Sequence, residues 1–106
     1  MIPRLEHAVV LGAGTMGAQL ACLLAGAGAR VSLLDLDAAT AGQGLERARR
    51  LRPSPLYRAD DAARITTAGF DVLAASVADA DWVIEAIVEQ LEPKRDLLAR
   101  LDAALT

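Results

Sequence analysis

Three glycines at residues 12–17 limit the folds open to this chain more than any other segment. The segment reads Gly-Ala-Gly-Thr-Met-Gly, the pattern Gly-x-Gly-x-x-Gly. It follows a continuously apolar run at 7–11, which is typical of a strand buried on both faces of a parallel sheet. A second apolar run occupies 30–35. Between the runs, apolar residues recur at helical spacing: Met16, Leu20, Leu23, Leu24 and Ala27. We therefore predict a strand, glycine turn, helix and strand, with Gly28 ending the helix.

This context gives each glycine a chemical role in holding a dinucleotide. Gly12 permits the tight turn, Gly14 lets a pyrophosphate approach the backbone, and Gly17 allows the helix to pack closely on the sheet. The free amides at the helix start, over Thr15 and Met16, would then face the phosphates. The alternative is a glycine turn that joins strand and helix without any ligand.

Asp35 indicates which dinucleotide is bound. It lies 18 residues beyond Gly17 at the end of the second apolar run, where a carboxylate accepts both ribose hydroxyls and repels a 2′-phosphate. Leu36 and Asp37 follow, and neither is an arginine that could receive that phosphate. We therefore predict NAD rather than NADP, with Asp37 as the cap of the next helix.

The remainder of the chain continues the same alternation. A second helix begins at Asp37 and ends before Pro53, a short strand covers 65–67, and a brief helix covers 71–77. A strand follows at 82–87, and Pro93 opens a last helix. The predicted fold is an α/β, Rossmann-type, doubly wound parallel sheet, truncated after about four strands, with residues 1–106 forming one NAD-binding domain.

Composition excludes several other classes. Fourteen acidic against eleven basic residues give a net charge of −3, which argues against a nucleic-acid partner. A single cysteine and a single histidine exclude an internal disulfide and argue against a metal site. No apolar stretch approaches the ~18 residues of a membrane span, and the start lacks the apolar core of a signal peptide. We expect a cytoplasmic protein without membrane contact.

Other reactive side chains have structural explanations. Cys22 is expected to be a packed core thiol, and His7 precedes the first strand, at the edge opposite the glycine turn. Asp60 and Asp61 are read as a solvated helix start rather than a cation site, and Trp82 as core. Four arginines could meet an anionic ligand, although a solvated helix face is favoured: Arg47, Arg49, Arg50 and Arg52.

Three charged residues fall on the cofactor side of the sheet, near the end of the last predicted strand: Glu85, Glu89 and Lys94. The alternative is that they only form a charge pair on the protein surface.

Two segments resemble a known family. Residues 9–19, VVLGAGTMGAQ, resemble the opening of L-3-hydroxyacyl-CoA dehydrogenases, and residues 81–95, DWVIEAIVEQLEPKR, resemble their second signature. The resemblance implies an NAD domain with strand order 3-2-1-4. It also implies that Glu89 and Lys94 contact the nicotinamide ribose side, and that the backbone around Ala86 and Ile87 lines the cofactor. The short region around Arg52 to Tyr57 is more similar to the long bacterial proteins with an appended hydratase-like half.

The resemblance also implies an activity: oxidation of the 3-hydroxyl of acyl-CoA thioesters in fatty-acid β-oxidation, with hydride passing to NAD. The family's catalytic His–Glu pair lies on later segments, and no histidine follows His7, so no catalytic residue is assigned and the 106 residues are expected to be inactive alone. The partner of the intact protein would be an acyl-CoA, and a homo-oligomer is possible. Two rival functions are a different NAD-dependent 3-hydroxy acid dehydrogenase and a non-catalytic NAD-sensing or crystallin-like module.

Overall fold

The computed structural model describes residues 6–56, 58–86 and 99–104. Four parallel strands form one sheet in the order β3-β2-β1-β4: β1 His7–Leu11, β2 Arg30–Asp35, β3 Ile65–Gly69 and β4 Trp82–Glu85. The α-helices are α1 Thr15–Gly26, α2 Ala38–Arg49 and α3 Leu73–Ala78, and 3-10 helices span Ala59–Arg64 and Phe70–Val72. Residues 99–104 are also helical. The predicted α/β parallel sheet, with the strand order that the resemblance implied, is confirmed.

The sheet carries apolar layers on both faces, as the continuous apolar runs predict. On one face, Val10, Val31 and Leu33 pack with α1 and α2. On the other face, Val9, Leu11 and Leu34 pack with α3, and Leu101 of the terminal helical segment lies against them. All the residues of β1 are buried. The end of β1, where the glycine turn begins, is therefore anchored from both sides.

Helix α1 packs with a different face from the one that its large residues suggest. The residues that it buries are small: Gly17, Ala18, Ala21, Cys22 and Ala25. Met16 is 67% exposed and Leu23 is 60% exposed. The helix is correctly predicted, but of its apolar stripe only Leu24 packs, partly buried, against the core between α1 and the sheet. The small side chains form the packed face, because they let the helix axis come closer to the sheet.

Two further predictions about packing are wrong. Trp82 is 57% exposed rather than buried, because β4 is the outer neighbour of β1 and no other described strand covers it. Asp61 is only 7% exposed, so it is not a solvated helix start. Its Oδ1 pairs with Arg64 Nη1 at 2.6 Å, and the same Nη1 donates to the carbonyl of Ala25 at 3.3 Å, near the end of α1.

Helix α2 begins as predicted. Asp37 is its N-cap, and one carboxylate oxygen accepts a hydrogen bond from the Thr40 amide at 2.7 Å. That amide lowers the pKa of Asp37 below its ordinary value. Since Asp37 performs the capping, Asp35 is not needed for it.

Candidate dinucleotide-binding site

The glycine turn connects β1 to α1 with almost no space for side chains. Gly12 has a φ of +103°, a left-handed conformation that glycine adopts without strain. Its amide donates to the carbonyl of Leu34 at 2.7 Å, which ties the turn to β2. A Cβ on Gly17 would collide with the carbonyl oxygen of Gly12 and lie 3.3 Å from the Cβ of Ala86. The close packing expected of Gly17 is therefore observed.

The start of α1 is open. Gly14 is the N-cap and contributes no side-chain cap, and the first turn has no acidic residue. The first backbone bond of the helix joins the Ala18 amide to the Gly14 carbonyl at 3.0 Å. The amides of Thr15, Met16 and Gly17 come before this bond and have no carbonyl partner within the helix. Such amides, together with the positive end of the helix dipole, suit a phosphate group.

Asp35 reaches back to the glycine turn. One oxygen of its carboxylate, Oδ2, accepts the Ala13 amide at 2.7 Å, and the other, Oδ1, accepts the Leu36 amide at 2.7 Å. The side chain is partly exposed at the end of β2. An ionised carboxylate has about four lone-pair positions, so both oxygens can still accept hydroxyl groups. The glycine turn and the Asp35 carboxylate are therefore joined by a hydrogen bond. This places a group that suits ribose hydroxyls beside a turn that suits a pyrophosphate, as a dinucleotide requires.

Helix α2 lies directly against the turn, a contact that is not among the predictions made from the sequence. A Cβ on Gly44 would collide with the carbonyl oxygen of Ala13 and lie 2.8 Å from its Cβ. By helix propensity alone, Gly44 would only weaken α2, by ~1 kcal/mol relative to alanine. The available signal was its position, three residues after Ala41 and four before Ala48, on the buried face of α2.

The end of β4 contributes the remaining described part of the site. The Ala86 amide donates to the carbonyl of Leu11 at 2.8 Å, and Ala86 packs partly buried beside Gly17. Glu85 lies opposite Leu11 in the last register pair of β1 and β4. The structure thus brings Gly12–Gly17, Asp35 and Ala86 to one edge of the sheet. Ile87, Glu89 and Lys94 lie outside the described residues, and their roles stay predictions.

The other candidate side chains lie elsewhere. His7 is buried at the opposite edge, where its Nε2 is 2.8 Å from Ser32 Oγ and its Nδ1 is 3.2 Å from the Asp79 carbonyl. Cys22 is buried in the core, and this burial raises the pKa of its thiol. In the described ranges, no group of three His, Cys, Asp or Glu side chains could hold a metal ion. Of the helices in those ranges, none combines the length and apolar character that a bilayer crossing requires.

A family model describes the same stretch of chain. Residues 7–106 match the 3-hydroxyacyl-CoA dehydrogenase NAD-binding domain. The chain therefore belongs to this family of NAD-binding domains, and its cofactor is NAD. The resemblance carried by the two sequence segments is confirmed.

Individual relatives agree with the family model. A "Probable 3-hydroxyacyl-CoA dehydrogenase" of Deinococcus radiodurans is 37% identical over 106 residues, covering 93% of this chain and 31% of the relative. A solved (S)-3-hydroxybutyryl-CoA dehydrogenase of Ralstonia eutropha is 30% identical with a TM-score of 0.68, covering 95% of this chain and 38% of that one. The 3-hydroxybutyryl-CoA dehydrogenase of Escherichia coli is 30% identical with a TM-score of 0.72, and the match covers 96% of this chain and 23% of that one. The chain thus spans well under half the length of these relatives.

Proposed function

We propose that the chain is the cofactor-holding part of an enzyme that oxidises L-3-hydroxyacyl-CoA to 3-oxoacyl-CoA in fatty-acid β-oxidation. Two kinds of relative support this reaction. The first is the 3-hydroxyacyl-CoA and 3-hydroxybutyryl-CoA dehydrogenases above. The second is a "Putative fatty acid oxidation complex trifunctional enzyme" of Rickettsia felis, 31% identical over 104 residues, covering 92% of this chain and 14% of the relative. The acceptor for the hydride that leaves C3 of the substrate would be supplied by the NAD that these residues hold. The chain's own residues hold and orient that cofactor.

The observation that carries the proposal is the hydrogen bond between Asp35 and the Ala13 amide. It fixes the carboxylate that would accept the ribose hydroxyls beside the turn that would accept the pyrophosphate. The open amides over Thr15 and Met16 would bind the phosphates, with Gly14 offering no Cβ to obstruct them. Ala86 would line the cofactor at the end of β4. Each of these groups binds or positions, and none moves a proton.

Proton transfer from the substrate hydroxyl is therefore assigned to other parts of the parent enzyme. The one histidine, His7, is buried at the opposite edge of the sheet and engaged with Ser32 and Asp79. We expect no oxidation of a 3-hydroxyacyl-CoA when the 106 residues are mixed with substrate and NAD. A spectrophotometric assay of NADH formation checks this, and turnover at the rate of an intact enzyme would contradict it.

The cofactor role is tested by calorimetric titration of the chain with NAD and with NADP. We expect binding of NAD and much weaker binding of NADP, because the Asp35 carboxylate repels a 2′-phosphate. Asp35→Ala should weaken NAD binding by ~1–3 kcal/mol through loss of charge-assisted hydrogen bonds.

Asp37→Ala is the matched control, two residues away. It removes the helix cap and should lower the free energy of unfolding while leaving NAD affinity unchanged. If a folded Asp35→Ala variant bound NAD as tightly as the unaltered chain, Asp35 would not belong to the site. If the unaltered chain were folded and did not bind NAD, the assignment of a working site to these residues would be contradicted.

The setting of the parent enzyme completes the proposal. An acyl-CoA is its partner, the cytoplasm is its location, and self-association remains an expectation. The negative net charge and the names of the relatives support a metabolic rather than a nucleic-acid-binding role.

A further inference from the structure

Four arginines lie near the end of α2, and their surroundings differ. Arg49 Nη1 is paired with Glu46 Oε1 at 3.1 Å, and Arg52 Nη1 donates to the carbonyl of Leu51 at 3.1 Å. Within the described part of the chain, the guanidinium groups of Arg47 and Arg50 have no hydrogen bond or ion pair. These two guanidinium groups are therefore available to an anion.

A groove distinguishes Arg47 from Arg50. A cavity of about 160 Å³ separates the first turn of α1 from the second half of α2, and its lining is Gly14, Thr15, Gly44, Arg47, Ala48 and Leu51. A larger groove, which runs along α2 and reaches Thr67 of β3, is lined by both Arg47 and Arg50. Of the four arginines, only Arg47 lines the cavity that contains the open helix start. It thus shares a small space with Gly14 and Thr15, the N-cap and the first residue of α1.

The contact at Gly44 explains this placement. Because Gly44 has no Cβ, α2 lies directly against Ala13 of the glycine turn. Arg47 follows Gly44 by three residues, almost one helical turn, so the two project from neighbouring positions on the same side of α2. Gly44 therefore allows α2 to lie close enough for the Arg47 side chain to reach the cavity beside the glycine turn.

We propose that Arg47 contacts the pyrophosphate of the bound dinucleotide at the Gly14–Thr15 end of α1. The inference rests on the proposed NAD site and adds to it a positive side chain from a second helix. Its chemistry is the pairing of a guanidinium with phosphate oxygens, which the partial charge at the helix start reinforces. The competing explanation is that Arg47 only stabilises the negative end of the α2 dipole.

The experiment compares Arg47→Gln with Arg49→Gln. Both changes remove one positive charge from the last turn of α2, but Arg49 does not line the cavity. Calorimetry should show NAD binding weakened ~3- to 5-fold by Arg47→Gln, as for a solvent-accessible ion pair, and little changed by Arg49→Gln. The difference should shrink as salt rises. Arg47→Lys should restore part of the affinity because it keeps the charge.

A ligand series identifies the group that Arg47 contacts. NMR titrations with ADP and with adenosine should show that Arg47→Gln weakens ADP binding but leaves adenosine binding unchanged. Three outcomes would overturn the proposal. They are equal losses of NAD affinity in the Arg47 and Arg49 variants, a loss of adenosine binding in Arg47→Gln, and, in a parallel titration with coenzyme A, a loss in Arg47→Gln that is confined to coenzyme A binding. In those outcomes the NAD site stands. Failure of the unaltered, folded chain to bind NAD would contradict the proposed function and this inference together.

Discussion

The two edges of the sheet are constructed in opposite ways. At the edge where the strands end, glycines and uncapped amides leave the start of α1 open. At the edge where the strands begin, side chains occupy the backbone donors: Asp81 Oδ2 accepts the amides of Glu6 and His7 at 2.9 Å each. One edge lacks side chains where a ligand would need room, and the other uses them to join strands.

The closed edge includes a small polar network. His7 contacts Ser32 of β2 and the backbone of Asp79, and Arg30 donates to Asp79 Oδ2 at 2.8 Å. The contacts link the starts of β1 and β2 to the segment before β4. Buried and part-buried polar groups here have partners, so this edge offers structure rather than a binding surface. The contrast predicts that changes at the open edge affect both folding and NAD binding, whereas changes at the closed edge affect folding alone.

The largest expected effect comes from adding a methyl group at Gly17. Gly17→Ala places a Cβ against the carbonyl of Gly12, so the turn or α1 must shift. We expect a loss of about 2 kcal/mol or more in the free energy of unfolding, since overpacking outweighs the gain in helix propensity. Chemical denaturation followed by circular dichroism measures the loss, and NAD titration should show weaker binding.

Gly26→Ala is the control in the same helix. The nearest atom to a Cβ there is Asp61 Oδ2, at 3.9 Å, so the methyl group fits. Stability should be unchanged or raised by up to about 1 kcal/mol. Equal stability of Gly17→Ala and Gly26→Ala would contradict the prediction, because it would show that the close packing at the turn does not require a glycine at position 17.

A smaller effect is expected where α2 meets the turn. Gly44→Ala directs its Cβ at Ala13, whereas Gly42→Ala meets nothing closer than Thr67 Oγ1 at 4.0 Å. We expect Gly44→Ala to destabilise the chain by ~1–3 kcal/mol and Gly42→Ala to stabilise it by ~0.5–1 kcal/mol. Thermal unfolding of the pair measures the opposite signs, and shifts in the same direction would contradict the assigned contact.

The fold is more predictable than the fit of its parts. The apolar runs at 7–11 and 30–35 predict the central strands because burial on both faces requires continuous hydrophobicity. They cannot indicate which face of α1 packs, since this helix has apolar residues on both sides and the sheet selects the small ones, such as Ala21. The roles of Gly12 and Gly17 follow from local backbone geometry and were predictable. Gly44 and Arg47 depend on how α2 lies against the turn, which is a contact between elements distant in sequence.

The smallest effect, and the one confined to the closed edge, concerns pH. The amides of His7 and Glu6 lower the pKa of Asp81. Because the folded-state pKa is below that of the unfolded chain, the ionised carboxylate adds stability above about pH 4, and that contribution is lost as pH falls through the folded-state pKa. Asp81→Asn should therefore lower stability at neutral pH and make the acid-side decline shallower, with the two proteins converging at low pH. Denaturation midpoints between pH 2 and 7 measure both curves. NAD affinity at pH 7 should be the same for both, because Asp81 lies at the edge away from the glycine turn; a clear loss of NAD binding in the folded variant would break the division between the two edges.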